Sequence, residues 1–461
     1  MKIQFNLENK RDQREMGGST IIKLVVISIL TLILLVPSSW LESLIAERQN
    51  RKSEVLKEIS ENWSGTQELE GPVLVIPYKT IHSIKDSLGV MHTGETISNI
   101  YILPENLFIQ ANMSPIVLHR GIFDDVVYNS HIQFSGNFSK IERKRSGLIP
   151  ENILWDKAKL DIGLSDMKGI GKSFEVNLDN QKYTIESDPN SLNLFPNNLV
   201  INSDLTGKKE SDVKFSFEMD LKGSESLSFL QIGKSTSVNV QGNWGNPSFF
   251  GHYLPEKRKV SKNEFEASWN LPFFNRPFPQ QWVDKNMALE NKEDKASFGV
   301  KLELPVDQYQ ETTRTAKYSI LIIILSFLAL FITELLKKSR IHPLHYVLIG
   351  FSLIIFYLLL LSLSEQVGFK LAYLLSAIST IALIGTFVST LIRNKVIGLL
   401  FSGILAIFYG FVFIIIQLQD MALLVGSIAL FLLVALLMYF STRLPLNQGE
   451  NLSKQENQDQ D

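Results

Sequence analysis

Long apolar runs constrain this chain more than any other feature, because each is long enough to cross a bilayer. The hydrocarbon core of a membrane, roughly 30 Å thick, needs about 20 apolar residues in a helix. Six runs approach or meet this length: residues 21–40, 318–336, 346–363, 371–392, 396–418 and 421–440. A long polar stretch rich in Asn, Ser, Gly and Lys separates the first run from the others. The pattern predicts one N-terminal transmembrane helix, a large soluble domain and a C-terminal bundle of five transmembrane helices.

The first run is interpreted as an anchor and not as a cleaved signal peptide. It is longer than a typical signal-peptide core, and no clear A-x-A cleavage site follows it. Residues 42–63 continue with Ile45, Val55, Ile59 and Trp63 among charged residues. This spacing predicts a helical stalk that follows the membrane segment.

Charged residues in the short loops predict the orientation, since Lys and Arg accumulate on the cytoplasmic side. The segments that six crossings place on the same side as the N-terminal tail carry Lys2, Lys10, Arg11, Arg14, Lys337, Lys338, Arg340, Arg393, Lys395 and Arg443. The turns on the opposite side contain Glu365, Gln419 and Asp420. We therefore expect both termini in the cytoplasm and residues 42–317 outside it.

The polar stretch shows the period-two alternation of half-buried β-strands. The clearest stripe is Val213, Phe215, Phe217, Met219 and Leu221, and similar stripes occupy residues 132–138, 265–271 and 298–304. These strands predict an all-β, sandwich-like extracytoplasmic domain, built as one or two antiparallel sandwiches or as a barrel-like sheet. The predicted fold class is thus an α+β membrane protein. Its predicted domains are a cytoplasmic tail (1–20), a transmembrane helix (21–41), a stalk (42–63), the β-rich domain (64–317), the bundle (318–440) and a polar cytoplasmic tail (441–461).

Composition excludes several classes of function. The 461 residues include no cysteine, which excludes a disulfide framework, a thiolate metal site and a cysteine nucleophile. The formal net charge is only -2, and no basic stripe is present. We therefore expect no nucleic acid among the partners.

Several long strings resemble the CreD family of inner-membrane proteins. One is Gly71-Pro72 followed by an apolar strand that ends in Ile76-Pro77, and another is GNWGNPSFFGHYLPEKR at residues 242–258. The most specific strings are PVDQYQETTRTAKYSILIIILSFLALFITE and RIHPLHYVLIGFSLIIFYLLLLSLSEQVG, at residues 305–334 and 340–368. The resemblance covers nearly the whole chain. It implies a role in cell-envelope integrity, colicin tolerance when abundant, and control by a sensor kinase and response regulator, and it transfers no catalytic residue.

Candidate chemistry inside the apolar runs is sparse. An intramembrane serine hydrolase needs a nucleophile and a base within the helices, but none of the seven histidines lies inside an apolar run. His342 and His345 could face one metal ion, yet Pro343 stands between them and no third ligand is evident. Glu334 lies near the end of its run, where Lys337, Lys338 or His342 could pair with it. We predict no catalytic, cofactor or metal site.

Two motifs of the β-rich region are interpreted structurally. Gly169-Ile170-Gly171-Lys172 lacks the spacing of a phosphate-binding loop, and its glycines are expected to supply positive φ angles in a turn. An aromatic cluster surrounds Pro247, and we expect it to be a corner of the core and not an exposed lip. Its members are Trp244, Phe249, Phe250, His252 and Tyr253.

The segment 305–318 is the leading candidate for a functional junction. If the segment is helical, one face carries the candidate residues Asp307, Gln310 or Glu311, Arg314 and Tyr318, at steps of three and four. We favour a rigid junction that docks the β-rich domain on the bundle, with acid–base pairs that fix the angle. The other interpretation is a coupling element that passes information between the two. Glu334 is added as a further candidate.

The leading hypothesis for function is a non-enzymatic protein that supports envelope integrity or a stress response. Its outer domain would bind or sense a component at the membrane surface, and the bundle would anchor it or transmit a signal. The expected partners are the lipid bilayer and envelope proteins or lipids at the outer domain. The alternative is a membrane enzyme or transporter that acts on lipid or cell-wall precursors. A third possibility is a subunit of a larger complex, and the sequence leaves the oligomeric state open.

Overall fold

A computed structural model describes most of the chain and divides it into two compact units. The described residues are 2–85, 91–142, 148–185, 194–195, 197–208, 211–283, 296–304, 308–337, 341–418, 421, 424–428, 431, 435 and 438. The helical unit combines Met1–Arg51 with Val306–Asp461, and the β unit is Lys52–Pro305.

Six helices occupy the described residues. They are α1 (Lys2–Trp63), α2 (Gln308–Lys317), α3 (Ser319–Lys337), α4 (Pro343–Val367), α5 (Phe369–Ile392) and α6 (Lys395–Gln417). α1 is continuous and includes both the first apolar run and the segment that the sequence predicts as a stalk. His342 caps the start of α4 by accepting a hydrogen bond from the backbone N–H of Leu344, and Asn394 caps α6 in the same way through Val396 and Ile397.

The described residues hold four or five of the six membrane-spanning helices that the sequence predicts. Four described helices are long and apolar enough to cross: Val25–Trp63, α4, α5 and α6. α2 and α3 add a fifth if they form one span, which is bent by 43°. The hydroxyls of Thr312 and Thr315 donate to carbonyls four residues earlier, a bond that favours bending. More than half of the sixth predicted run, 421–440, lies outside the described residues.

Sixteen strands make up the β unit within the described residues. They are β1 (Gln67–Lys85), β2 (Met91–Ile102), β3 (Asn106–Arg120), β4 (Phe123–Phe138), β5 (Ala158–Leu164), β6 (Glu175–Leu178), β7 (Gln181–Thr184), β8 (Asn198–Ser203), β9 (Val213–Ser224), β10 (Ser226–Leu230), β11 (Ser235–Gly242), β12 (Pro247–Gly251), β13 (Lys257–Val260), β14 (Phe265–Pro272), β15 (Gln281–Val283) and β16 (Ser297–Leu302).

The strands form two eight-stranded sheets. The first sheet has the order β12-β16-β10-β1-β2-β15, with β5 paired to β1 and β8 paired to β5. The second sheet has the order β13-β14-β11-β3-β4-β9-β6-β7. The prediction of purely antiparallel sheets is wrong, because β1 pairs with β10 and β3 pairs with β11 in parallel. A long stretch of chain separates the members of each parallel pair, which leaves room for the crossover that parallel pairing needs.

The two sheets share one apolar core. Side chains alternate between buried and exposed along β9, as the stripe that begins at Val213 predicts. Trp269 of the second sheet is fully buried and contacts Phe298 of the first, with 5.5 Å between ring centroids. Phe249 of the predicted aromatic corner packs edge-on against Trp269. The β unit is therefore sandwich-like, and fully burying each large side chain contributes about 1.5–3 kcal/mol.

A polar network within the β unit holds the segment that directly follows α1. The side-chain nitrogen of Gln67 donates to Ser64 Oγ and to the backbone carbonyls of Asp166 and Lys222. The carboxylate of Asp166 accepts from Ser64 Oγ and from the backbone N–H of Gly65. Burial raises the pKa of Asp166, but the hydrogen bonds from Gly65, Lys168 and Ser64 together outweigh this effect and hold the pKa below its usual value. The chain therefore enters the first sheet at a fixed point.

Gly169 is needed for space and not for backbone freedom. The prediction of positive φ angles at Gly169 and Gly171 is wrong, since neither glycine has one. A Cβ atom at Gly169 would lie 2.4 Å from the backbone oxygen of Lys222. The glycine therefore allows this turn to pack closely against β9.

Candidate functional site

α2 lies against the other helices of the helical unit through one face. Tyr309, Thr312, Thr315 and Ala316 are buried, and they recur at steps of three and four residues. The remaining positions of α2 are charged or polar, as expected for an amphipathic helix. α2 is therefore packed into this unit and is not a free linker.

Two carboxylates join α2 to distant parts of the helical unit. The hydroxyl of Tyr309 donates to Oε1 of Glu365, near the end of α4, at 2.9 Å. The side-chain nitrogen of Gln417, at the end of α6, donates to Oε1 of Glu311 at 3.4 Å. Hydrogen bonds to ionised acceptors are the stronger kind, and the shorter bond dominates here. We call these four residues the α2 cluster.

A second polar cluster closes the turn between α3 and α4. Glu334 is buried, and its Oε1 accepts from the backbone N–H of Ile341 at 3.1 Å. Its Oε2 accepts from the hydroxyl of Tyr346 at 3.0 Å. Tyr346 in turn packs edge-on against Phe327 of α3. The three residues Glu334, Ile341 and Tyr346 form the Glu334 cluster, which holds two sequential helices together.

The two clusters contact opposite ends of α4. Tyr346 lies in the first turn of this helix and Glu365 in its last turn. At 1.5 Å per residue the two positions are roughly 29 Å apart along the axis, close to the thickness of a bilayer core. Between them, the described part of α4 carries no charged side chain. The polar contacts of this helix are thus placed as in a membrane span.

The predicted site residues take different positions. Asp307 lies outside the described residues, Gln310 is exposed, and Arg314 and Tyr318 are half-buried. No ion pair of Arg314 occurs in the part of the chain that the structure describes. Among the described site residues, Glu311 and Glu334 belong to the two clusters, and Glu311 joins the predicted face of α2 to α6.

Sequence reasoning missed Tyr309, Glu365 and Gln417 as contact residues. The helical steps from Tyr309 to Thr312 and Ala316 carry the signal for the buried face. That face is polar by composition, because it combines one tyrosine with threonines. The prediction from sequence therefore places the functional face of α2 on the neighbouring positions, which are more strongly charged.

Buried hydroxyls also occur inside the helical unit. Tyr357, Tyr373 and Tyr409 surround Phe356, with ring centroids between 4.6 and 5.5 Å from its centroid. The hydroxyl of Tyr373 donates to the backbone carbonyl of Tyr409 at 2.7 Å. Within the described residues, the hydroxyls of Tyr357 and Tyr409 have no hydrogen-bond partner. No group of three or more His, Asp or Glu that could hold a metal ion occurs among those residues either.

Comparisons with known proteins place the chain in a family. The family model described as "Inner membrane protein CreD" matches residues 19–446. A curated relative, the inner membrane protein CreD of Escherichia coli (strain K12), is 30% identical over 415 residues, which is 90% of each chain. The match extends over both units, and it agrees with an N-terminal apolar helix, a β-rich unit and further apolar helices. The chain belongs to the CreD family of inner membrane proteins, and it is a multi-pass membrane protein.

Proposed function

We propose that this protein supports the integrity of the bacterial cell envelope through its β unit, which binds or senses a component at the outer face of the inner membrane. Membership in a family of inner membrane proteins supports a location in the inner membrane of the bacterial cell. The Lys and Arg residues of the short loops support cytoplasmic termini and an external β unit. In this proposal, residues 1–20 and 441–461 are cytoplasmic, residues 21–41 cross the membrane, and residues 42–63 form the stalk. The domain of residues 64–317 is periplasmic, and the bundle is residues 318–440.

The observation that carries the proposal is the distribution of polar contacts along α4. They lie at the two ends of the helix, in the α2 cluster and the Glu334 cluster, and the charged groups of both clusters are engaged in helix packing. Ionisable groups retained for transport lie deep inside a bundle. A helical unit with its carboxylates at the ends is suited to anchoring. In the proposal, α2 is a rigid junction through which this anchor holds the β unit.

A second candidate function is a membrane enzyme or transporter that acts on lipid or cell-wall precursors. The observation that favours it is the pair of unpartnered hydroxyls on Tyr357 and Tyr409, within the described residues. Buried polar groups without partners are costly and are often kept for use. A substrate with hydrogen-bonding groups would satisfy them.

A rescue experiment separates the two candidates. A strain that lacks the protein would be scored for permeability to detergent and dye, with the full chain or with a truncated variant that ends at residue 305. Rescue by the truncated variant supports the proposed function, because α1 and the β unit then suffice. If only the full chain restores the barrier while both forms accumulate equally, the helical unit is active and the anchoring role is refuted.

A further inference from the structure

The outward face of the second sheet carries a concentration of carboxamides at its centre. Three adjacent strands, β11, β3 and β4, present two neighbouring rows of side chains there. The rows consist of Asn239, Gln110 and Gln133, and of Gln241, Asn112 and His131, so five of the six side chains are carboxamides. Each carboxamide offers a carbonyl acceptor and two N–H donors side by side. The two rows therefore carry many hydrogen-bonding groups and contain no carboxylate, ammonium or guanidinium of their own.

A groove of about 500 Å³ is open on this face. Its polar lining includes Asn112, Gln241, Asn243, Lys259, Glu264 and Glu266, from β3, β11, β13, β14 and the residues beside them. Gln241 donates to the carbonyl oxygen of Asn112 at 2.7 Å, which fixes both amides. Gln241 Oε1 and Asn112 Nδ2 then have no partner among the described residues, and neither do the carboxylates of Glu264 and Glu266. The groove thus offers one oriented pair of amides beside two exposed carboxylates.

The charge of the groove decides which ligands fit. Two carboxylates, of Glu264 and Glu266, face one ammonium, of Lys259. Phosphate and other polyanions need clustered cations, which this groove does not offer. A hydroxyl group both donates and accepts, so it can bond to a carboxamide and to a carboxylate. An uncharged molecule with many hydroxyl groups complements this lining.

An exposed aromatic ring extends the surface along β3. Phe108 is 52% exposed and lies on the same face as Gln110 and Asn112, since alternate residues of a strand point the same way. Its Cα is roughly 13 Å from that of Asn112 at about 3.3 Å per residue. Flat aromatic faces pack against the C–H side of sugar rings while amides bond to the hydroxyls. That distance corresponds to a few sugar units of an extended chain.

We propose that the outward face of the second sheet is a binding site for an uncharged, hydroxyl-rich saccharide chain, with Asn112, Gln241 and Glu266 bonding to hydroxyls in the groove and Phe108 packing on a more distant ring. This inference deepens the proposed function and rests on it for the place where the protein would meet such a chain. The binding itself is a property of the purified protein.

Binding would be measured by calorimetric titration of the full chain in lipid nanodiscs, without sugar-based detergents. The probes are chitohexaose, cellohexaose and an anionic control, oligogalacturonate. At least one neutral hexasaccharide should bind saturably and more tightly than the anionic control. Gln241→Ala and Glu266→Ala should each weaken this binding about fivefold, the effect of losing a hydrogen bond worth about 1 kcal/mol. Asn202→Ala is the matched control, because Asn202 is an exposed amide of β8 in the first sheet, and it should bind like wild type.

The length of the saccharide provides a second readout, which a folding defect of the protein would not reproduce. Phe108→Ala should weaken binding of the hexasaccharide while leaving that of the matching disaccharide unchanged. No saturable binding of either neutral hexasaccharide would overturn the inference, as would preferred binding of the anionic control or equal affinities in all groove variants. If saccharide binding is absent, a successful rescue by the truncated variant still supports the proposed function. If the rescue fails, saccharide binding by the purified protein can still be observed. The inference and the proposed function can therefore fail separately.

Discussion

Asp161 in the β unit and Glu334 in the helical unit are both buried carboxylates, but their surroundings differ. Glu334 accepts one hydrogen bond from a backbone N–H and one from a tyrosine hydroxyl. Asp161 is fully buried on β5, and among the described residues neither of its oxygens accepts a well-formed hydrogen bond. Burial raises the pKa of Asp161 to about 7, and only Lys159 and the backbone N–H of Ile162 oppose this effect.

The difference shows that burial alone does not define the role of a carboxylate. Removing a partnered group breaks a contact between elements, so Glu334 stabilises the turn from α3 to α4. An unpartnered group costs free energy whenever it is ionised, so Asp161 makes the β unit sensitive to pH. The same change, carboxylate to carboxamide, should therefore have opposite effects in the two units.

Asp161→Asn should give the largest effect. The folded β unit holds the proton of Asp161 up to about pH 7, while the unfolded chain loses it near the ordinary value of 3.8. Its stabilising contribution is therefore complete below pH 4 and is lost as the pH rises to about 7. The loss corresponds to about 4 kcal/mol at pH 8, as an upper estimate. The variant should be more stable than wild type at pH 8, and this advantage should shrink towards pH 5.

Thermal unfolding of both proteins between pH 5 and pH 8 measures this effect. Asp125 is also buried, and its pKa is raised to about 6, so wild type and variant share its contribution. Asp156→Asn, at an exposed aspartate of the same unit, is the control and should change nothing. An Asp161→Asn variant with the pH dependence of wild type would contradict the account.

Glu334→Gln should destabilise the helical unit by about 2 kcal/mol. The amide oxygen can still accept from the N–H of Ile341, but the NH₂ group then donates to the hydroxyl of Tyr346, which loses its own acceptor, and both bonds to a carboxylate are replaced by weaker bonds to an amide. Unfolding in mixed micelles reports this loss. Equal stability of variant and wild type would show that the Glu334 cluster does not hold the turn, and the contrast with Asp161 would then disappear.

Tyr309→Phe should destabilise the helical unit by about 1 kcal/mol, because the hydrogen bond to Glu365 is lost. Tyr318→Phe is the matched control, since the hydroxyl of Tyr318 has no partner within the described residues. The same unfolding assay applies to both variants. If the two behave alike, the α2 cluster does not fasten α2.

Gln417→Ala should have the smallest effect, less than about 0.5 kcal/mol. Its bond to Glu311 is 3.4 Å long, and the side chain is exposed. A larger loss would show that the α2 cluster depends on α6 as much as on α4.

The main elements could be predicted from the sequence because each depends on a local period. The stripe from Val213 to Leu221 identified β9, and the apolar runs identified α4, α5 and α6 within a few residues. The parallel partners of β1 and β3 lie far along the chain, and no local pattern encodes them. The groove could not be predicted for the same reason. Asn112 and Gln241 are far apart in the sequence, and the parallel register of β3 and β11 brings them side by side.

The candidate site was predicted less well, because the prediction selected the face of α2 that carries charged and polar residues at helical spacing. Arg314 and Gln310 were chosen as charged or polar residues at helical spacing, whereas packing selected Tyr309 and the threonines. The sequence places Glu365 only in a turn on the side of the membrane opposite the N-terminal tail. Its partner could not be identified without knowing that α2 folds back onto the end of α4.

Rescue by the Arg314→Ala variant tests the central claim most directly. This claim is that the β unit supports envelope integrity and that α2 is a rigid junction. Arg314 is half-buried and makes no ion pair within the described residues, so the variant should accumulate like wild type. Barrier function would be scored by detergent and dye permeability in a strain that lacks the protein, with the amount of each protein measured alongside. The account predicts full rescue. Loss of rescue at wild-type abundance would contradict it and would make α2 an active coupling element.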